Sequence, residues 1–517
     1  MKKITLRRDL TFILIALLVL FAATLACART VQDEDTPFWS VSDPGATSSK
    51  SNSVPVAQAA GLPAQHTPSS PLHTPTPDQP HPLPTIRADP IDYSVEKGDT
   101  LGNIAKKYGV GLEQLEDANK LANPNFLHVG QALSVPPPTP DGTAPDFKII
   151  PDSELVFGPS NVSFDLESFI QSQGGYLAGY KEEVNNEPLT GAQIVERISQ
   201  DFSVNPRLLL AILEYQSGWV RNSDLNKKAK NYPVGLENPQ REGLYHQLAY
   251  AANNLNRGYY LWRVSGIGAW VLRDGTIMLS APTINAGTAG VQHFFSTLLE
   301  REEWDHAVSD GGLFAIYYAL FGNPFGYAIE PIIPDKLIQP PMQLPFGKGE
   351  VWSFTGGPHS GWGDGSAWAA LDFAPPGDAL GCVKSDAWVL AVADGLILRA
   401  GNGAVIQDLD GDGLEQTGWV VLYMHIESRD QVEPGTYIRA GEHIGHPSCE
   451  GGISSGTHIH LARRYNGEWV AADQTIPFVL DRWVSIGTGE QYDGFLERGR
   501  KQVEAYAGSS PKNAIKR

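Results

Sequence analysis

The sequence predicts a multidomain α+β chain: a small β-α-α-β unit, a mainly helical middle domain and a C-terminal domain of antiparallel β structure. Three observations carry that reading. At roughly 150 residues per domain, 517 residues make three to four domains rather than one. The apolar period is helical between residues 153 and 340. Beyond 341 it changes to short Val/Leu/Ile/Trp runs, such as WVLAVADGLILRAGNG and TGWVVLYMHIES, separated by glycine-rich turns. Finally, two proline-rich stretches interrupt the first third: 10 prolines in the 40 residues from Ser51 to Pro90, and PPPTPDGTAP from Pro136 to Pro145.

The expected order is a targeting segment (1–27), a disordered proline-rich linker (28–90), the compact unit (91–137), a second linker (138–152), the helical domain (153–340), the β-rich domain (341–486) and a tail (487–517). Acidic residues number 58 against 39 basic ones, a net charge of −19. Such a chain is a poor holder of phosphate backbones, which excludes nucleic acid as a partner.

Residues 1–27 open with Lys2, Lys3, Arg7 and Arg8 and continue as an uncharged apolar run from Leu10 to Ala26. This is the pattern of an export signal, excluded from fold reasoning. Its end, TLAC, resembles a bacterial lipoprotein signal, which implies lipidation of Cys27, with Thr24 where a branched aliphatic is usual. An uncleaved membrane anchor is the competing reading. Both expect an exported protein at the cell envelope, lipid-anchored on the outer side of the cytoplasmic membrane or secreted. The linker that follows cannot bury enough surface to offset its ordering entropy.

In the compact unit, YSVEKGDTL reads as a strand, a turn at Gly98-Asp99 and a helix capped by Thr100. Leu101, Ile104, Ala105 and Tyr108 follow with helical spacing, Leu112, Leu115 and Ala118 mark a second helix, and ALSV closes as a strand. The unit resembles a LysM domain over its whole length, through Tyr93, Gly98, Asp99, Thr100, Leu101, Asn119, Gly130 and Gln131 among others. That resemblance implies binding of N-acetylglucosamine-containing chains through Gly98, Asp99, Thr100, Leu101, Asn123 and Pro124.

The helical domain contains GAQIVERISQDFSVNPRLLLAILEYQSGWV, where Val204-Asn205-Pro206 separates two amphipathic helices. With Asn285-Ala286-Gly287, it resembles a lysozyme-like lytic transglycosylase domain. The position of that family's catalytic glutamate is Gln216, an amide that cannot protonate a glycosidic oxygen. Glu214, two residues away, points about 200° around the helix. A catalytically silent glycan-binding or spacer domain is expected, and glycan cleavage would rest on Glu214 alone.

Chemistry concentrates in the β-rich domain, where six of the 13 histidines fall between His359 and His460. In GTHIHLARRYNG, His458 and His460 stand two apart, on one face of a strand. Asp372 sits between Leu371 and Phe373, where a carboxylate is costly to bury unless something positive neutralises it. With His359 it completes a His/Asp/His set that could hold an open tetrahedral zinc.

These stretches resemble the lysostaphin-type zinc endopeptidases, most closely their staphylolysin and beta-lytic branch, from about Leu344 to Leu480. GGPH, a thirteen-residue step to LDF, Tyr423-x-His425 and CEGG-x-S-x-G-x-H-x-H from Cys449 recur in order. The wider family places its first histidine four residues before the aspartate, where this chain has Trp368; the longer spacing of the branch makes His359 the ligand instead. The resemblance implies one zinc ion per chain on His359, Asp372 and His460, with His425 and His458 assisting catalysis.

Two further expectations concern this domain. In an exported protein without Cys27, Cys382 and Cys449 are the only pair, so a disulfide is expected between them, with two unpaired buried thiols as the competing reading. Asp408, Asp410 and Asp412 have the spacing of a calcium loop with Gly413, but Trp419 stands at the twelfth position instead of glutamate, so a hairpin turn competes with a Ca2+ site. His443 and His446 read as surface-loop residues. Together these readings expect a cell-wall endopeptidase acting on peptidoglycan and targeted to it by LysM. The alternative is an inactive peptidoglycan-binding or hydrolase-activating protein.

Overall fold

The computed structural model describes residues 78–517 apart from 122, 124–125 and 378–380, so the signal segment with Cys27, the linker up to residue 77 and Pro124 lie outside the described residues. Among the described residues, no helix is long and apolar enough to cross a membrane.

Strands β1 (Ile91–Ser94) and β2 (Ala132–Val135) pair antiparallel around helices α1 (Leu101–Tyr108) and α2 (Leu112–Asn119). The Thr100 hydroxyl accepts the Asn103 N–H at 3.1 Å and so caps α1. Asp99 braces the turn before it, accepting from the Tyr93 hydroxyl at 2.7 Å and the Glu96 N–H at 2.8 Å. Gly98, Thr100 and Asn123 lie exposed. Leu101 differs from its expected role: the helical period that aligns it with Ile104 turns its side chain into the core, leaving only its backbone to a ligand.

The middle domain comprises β3 (Gly142–Thr143), α3 (Leu166–Gln173), the hairpin β4 (Lys181–Val184) and β5 (Glu187–Thr190), α4 (Gly191–Phe202), α5 (Pro206–Ser217) and α6 (Leu244–Arg263). A second hairpin, β6 (Ala269–Val271) and β7 (Ile277–Leu279), precedes α7 (Ala286–Ser296), α8 (Arg301–Ala307) and α9 (Leu313–Phe321). A capping box of Thr190 and Gln193 starts α4, Ser203 ends it in the left-handed conformation, and Asn205 caps α5 with Pro206 in the first turn. Every residue from Leu208 to Leu213 is buried, which makes α5 the central helix.

Two expected linkers are partly built into this domain. In the segment 138–152, β3 pairs parallel with β7, and Ile149 and Ile150 are fully buried. In the segment 78–90, the His81 ring stacks on Trp262 at 4.7 Å, and Arg87 donates to the Val135 carbonyl at 3.0 Å. Proline-rich chain lacks a core of its own but packs readily on one already formed.

The C-terminal domain is built on β8 (Val351–His359), β9 (Ala370–Ala374), β10 (Val389–Leu390), β11 (Gly395–Gly401), β12 (Ala404–Asp408), β13 (Trp419–Met424), β14 (Tyr437–Ile438), β15 (His443–Gly445), β16 (Ile459–Tyr465) and β17 (Glu468–Trp469). It continues through β18 (Val479–Leu480), β19 (Trp483–Ile486), β20 (Phe495–Arg498), β21 (Lys501–Glu504) and β22 (Ala514–Lys516). The main sheet runs β14-β11-β12-β13-β16-β9-β8-β22, all antiparallel, with β17 added to β16. Residues 487–517 are therefore no tail: β20 and β21 extend the sheet of β18 and β19, while β22 pairs with β8 and buries Ile515. His446 also differs from expectation, and His443, exposed as expected, stands on a strand instead of a loop. His443 lies on β15, His446 is buried just beyond it, and both rings lie 4.0 Å from Trp388.

The pleat gives the main sheet two buried faces. Leu371, Phe373, Val421, Tyr423 and Leu461 fill the domain's own core. Ala370, Leu422, Met424 and Ala462, on the other face, share one core with the helical domain. At this junction Arg399 binds Asp201 at 3.1 Å, Arg464 binds Glu415 at 2.7 Å, and Arg399 also binds Glu415. The middle domain is thus a cover on the sheet, not a spacer.

Candidate metal centre

Three adjacent strands bring the site together. In the ladders, His460 of β16 stands opposite Asp372 of β9, and Asp372 opposite Gly356 of β8, near irregularities that carry His359 inward. The result is a triangle: His359 Nε2 lies 2.9 Å from His460 Nδ1, and each lies 3.2 Å from Asp372 Oδ1.

The second ring nitrogens determine what the first can do. His359 Nδ1 donates to the Gly357 carbonyl at 2.8 Å and His460 Nε2 to the Gly361 carbonyl at 3.1 Å. These bonds assign the ring protons away from the triangle, leaving two bare nitrogens facing a carboxylate. Asp372 Oδ1 is buried and accepts no well-formed hydrogen bond. Asp372 is buried, so its negative charge is costly unless a cation offsets it.

Three lone-pair donors so packed repel one another unless a cation lies between them. Nitrogen and oxygen ligands about 2.0–2.2 Å from zinc at tetrahedral angles stand roughly 3.3–3.6 Å apart, close to the triangle observed. His359, Asp372 and His460 therefore fit a metal ion.

His425 and His458 flank the triangle, with ring centroids 4.5 Å apart. His458 Nδ1 donates to the Gly456 carbonyl at 2.7 Å, and its Nε2 lies 3.7 Å from Asp372 Oδ2. His425 Nδ1 lies 3.1 Å from the Glu450 carbonyl. Burial, with repulsion from His458 and His460, pushes the His425 imidazole down to about 4, so it is neutral and able to take a proton at ordinary pH. His425 sits at φ +64°, a left-handed conformation that departs from the preceding strand.

Cys382 and Cys449 are joined, with Cα atoms 5.7 Å apart. The bridge ties the segment after β9 to the CEGG loop, whose Glu450 carbonyl holds His425. The Thr457 hydroxyl, one residue before His458, adds a second tie by accepting the Val383 N–H at 2.9 Å.

Several parts of the site carry no sequence signal. Tyr492 stacks on His359 with centroids 4.2 Å apart, and burial followed by the Asp372 charge pushes its phenol up to about 12. The loop 360–369, which supplies the Gly361 carbonyl, is held by the middle domain. Arg257 binds Asp364 at 2.7 Å, and the Asn253 side-chain oxygen accepts the Asp364 and Gly365 N–H groups at 3.1 and 3.0 Å. Gly361 is required there, because a Cβ would stand 2.6 Å from the Trp469 ring.

Other expected site residues do not join the centre. Asp408, Asp410 and Asp412 come together, but Asp408 accepts the Asp410, Gly411 and Gly413 N–H groups and Asp412 accepts from Leu414 and Thr417, so their carboxylates brace a turn. Glu214 binds Arg221 at 2.8 Å and accepts the Val220 and Arg221 N–H groups.

Three families match the chain: LysM domain at residues 93–136, LasA, N-terminal domain at 148–332, and peptidase family M23 at 379–472. The last match covers His425, His458 and His460 and begins after His359 and Asp372. Protease LasA of Pseudomonas aeruginosa is 25% identical over 370 residues, spanning 67% of this chain and 80% of that protein. The N-acetylmuramoyl-L-alanine amidase XlyA of Bacillus subtilis is 32% identical over 117 residues, 22% of this chain and 39% of the amidase. Among solved structures, the deep-sea M23 metalloprotease pseudoalterin is 24% identical with a TM-score of 0.28, covering 35% of this chain and 99% of that one. The catalytic domain of lysostaphin from Staphylococcus simulans is 24% identical with a TM-score of 0.17, covering 23% and 86%.

Proposed function

We propose that this chain, which matches the LysM, LasA N-terminal and family M23 peptidase domains, is a zinc metalloendopeptidase that hydrolyses peptide bonds in the cross-links or stem peptides of peptidoglycan. The observation that carries this reading is the triangle of two bare imidazole nitrogens and one unbonded carboxylate oxygen, flanked by two further histidines. LysM supplies the glycan contact through the exposed turn at Gly98–Thr100 and the region of Asn123. Export, with Cys27 as a lipid-bearing residue, belongs to the same proposal, since peptidoglycan lies outside the cytoplasmic membrane.

Bound by His359 Nε2, Asp372 Oδ1 and His460 Nδ1, zinc would polarise the scissile carbonyl and acidify a water. The rest is the work of side chains. The Gly357 and Gly361 carbonyls keep the ligand nitrogens free of protons. Neutral His425 accepts a proton at its outward nitrogen and returns it to the leaving amine. His458, its Nδ1–H held by the Gly456 carbonyl, can stabilise the developing charge on the attacked carbonyl only as the doubly protonated imidazolium, whose Nε2–H donates.

Digestion of purified peptidoglycan, with mass analysis of the products, tests the proposal. New amino termini without new reducing sugar ends are expected, and a metal chelator should suppress them. Reducing ends without free amines would overturn it in favour of glycan cleavage.

A further inference from the structure

A single groove of 4510 Å³ joins the exposed turn of the LysM domain, at Gly98, Asp99 and Asn103, to His359, Asp372 and His458 of the metal centre. That is several times the roughly 300–1,000 Å³ of a small-molecule pocket. Its intermediate floor belongs to the middle domain, for which the sequence left a glycan-binding or a spacer role open.

The floor is continuous in the chain. Helix α6 grips the metal-site loop through Asn253 and Arg257, runs on through Leu261 to Val264, and leads into the hairpin β6–β7. The turn of that hairpin lies near LysM, where a Cβ on Gly111 would stand 3.6 Å from the Gly275 carbonyl oxygen. From Arg257 to Val264 the helix advances about 10 Å.

LysM is also fixed over this floor. Gln114 donates to the Thr139 hydroxyl at 2.7 Å, the Asp141 N–H to the Ile277 carbonyl at 2.7 Å, and Arg87 clamps the end of β2. Val264, 41% exposed, stands on this floor with half-buried Leu261 and Tyr250; of the cations lining it, Arg263 pairs with Glu468 and Arg273 with Glu300, while Arg241, whose charge reaches Tyr250, has no carboxylate partner among the described residues. Such a surface suits an extended ligand that is largely uncharged and carries occasional carboxylates.

We propose that α6 and the β6–β7 hairpin form a track for one peptidoglycan strand, held at its sugars by LysM and bearing its peptide to the metal centre. This rests on the peptidoglycan reading above. Because both ends of the groove address parts of one polymer, binding at one end raises the effective concentration at the other. The middle domain then acts as a substrate-binding element.

The test uses the full chain and obstructs the floor midway. Val264→Trp is compared with Val264→Ser, and Val264→Arg provides a second obstruction at this exposed position. Sedimentation with intact peptidoglycan in the presence of chelator measures binding without cleavage. Val264→Trp and Val264→Arg are expected to bind about tenfold more weakly than wild type, with Val264→Ser unchanged. Hydrolysis of short muropeptides should remain within twofold for all three. Wild-type binding of intact peptidoglycan by both obstructed variants overturns the track. Failure of the peptidase reading would look different: the wild type would bind the wall yet release no new amino termini.

Discussion

The Tyr492 ring lies nearly parallel to the His359 imidazole, with 4.2 Å between centroids and 22° between planes. Backbone bonds fix the arrangement: the Gly357 N–H donates to the Tyr492 carbonyl at 2.8 Å, and the Tyr492 N–H to the Pro358 carbonyl at 3.1 Å. A residue 133 positions downstream of the histidine thus sets the plane of its ring. Tyr492→Ala should weaken zinc binding about fivefold, the equivalent of roughly 1 kcal/mol of aromatic contact, while Tyr492→Phe retains it. Competition with a chromogenic chelator reads the difference; equal affinities for all three proteins would show that the stack does not orient the ligand.

Ligand and helper histidines should separate cleanly. Asp372→Ala and His460→Ala are expected to lose both metal and activity. His458→Ala and His425→Ala should keep about one zinc per chain while turnover drops by roughly 10²–10⁴. Metal analysis beside peptide hydrolysis checks this, and full zinc occupancy in His460→Ala would refute the ligand set.

The grip of the middle domain on the loop 360–369 should be felt at the metal. Arg257→Ala leaves Asp364 with Asn253 alone, and because the Asp364 side chain is 52% exposed the loss should be about 0.5–1 kcal/mol. Zinc affinity should fall two- to fivefold, with Arg257→Lys restoring most of it. Unchanged affinity with a lowered Tm would mean that the contact serves folding alone.

Glu468 predicts a pH dependence of known sign. Burial pushes its carboxyl up to about 7, only partly offset by Arg263. Its folded pKa is raised above the unfolded value near 4.3, so its contribution is fully present below that value and is lost as pH rises towards and through 7. The span is worth about 3–4 kcal/mol. Glu468→Gln should therefore gain Tm relative to wild type progressively between pH 5 and 8. A constant Tm difference across that range would contradict the assignment.

The bridge between Cys382 and Cys449, 67 residues apart, should stabilise the chain by roughly 4 kcal/mol through loop closure. Cys449→Ser is expected to lower denaturant stability by that order and to reduce turnover through the freed CEGG loop. Thiol titration of unfolded, unreduced protein should find neither cysteine free; two free thiols would remove the bridge.

The sequence alone determined whatever depends on near neighbours. The LysM fold was legible because caps, turns and helical period act within a few residues, as Thr100 on Asn103 shows. The pairing of His458 and His460 on one face follows from the strand's period of two. The carboxylate of Asp372 betrayed itself by standing inside an apolar run, where only a cation justifies it. Even the joined cysteines were expected from arithmetic, since Cys382 and Cys449 are the only pair once Cys27 is set aside.

Only the tertiary structure decided what depends on contacts between distant segments. Residues 487–517 read as a tail because their apolar runs are short, yet β22 completes the sheet beside β8 and Tyr492 closes on His359. The middle domain read as a glycan-binding or spacer domain, and its role as a cover was hidden because Asp201, Arg399, Glu415 and Arg464 resemble ordinary solvated charges until they meet at its junction with the sheet. Leu101 belonged to the core despite standing in a ligand-binding motif, because a helix must bury one face. The tautomers that make three side chains a metal site rest on the carbonyls of Gly357 and Gly361, groups that every residue possesses. Backbone groups carry no mark in a sequence, so folding alone selects which of them face an imidazole.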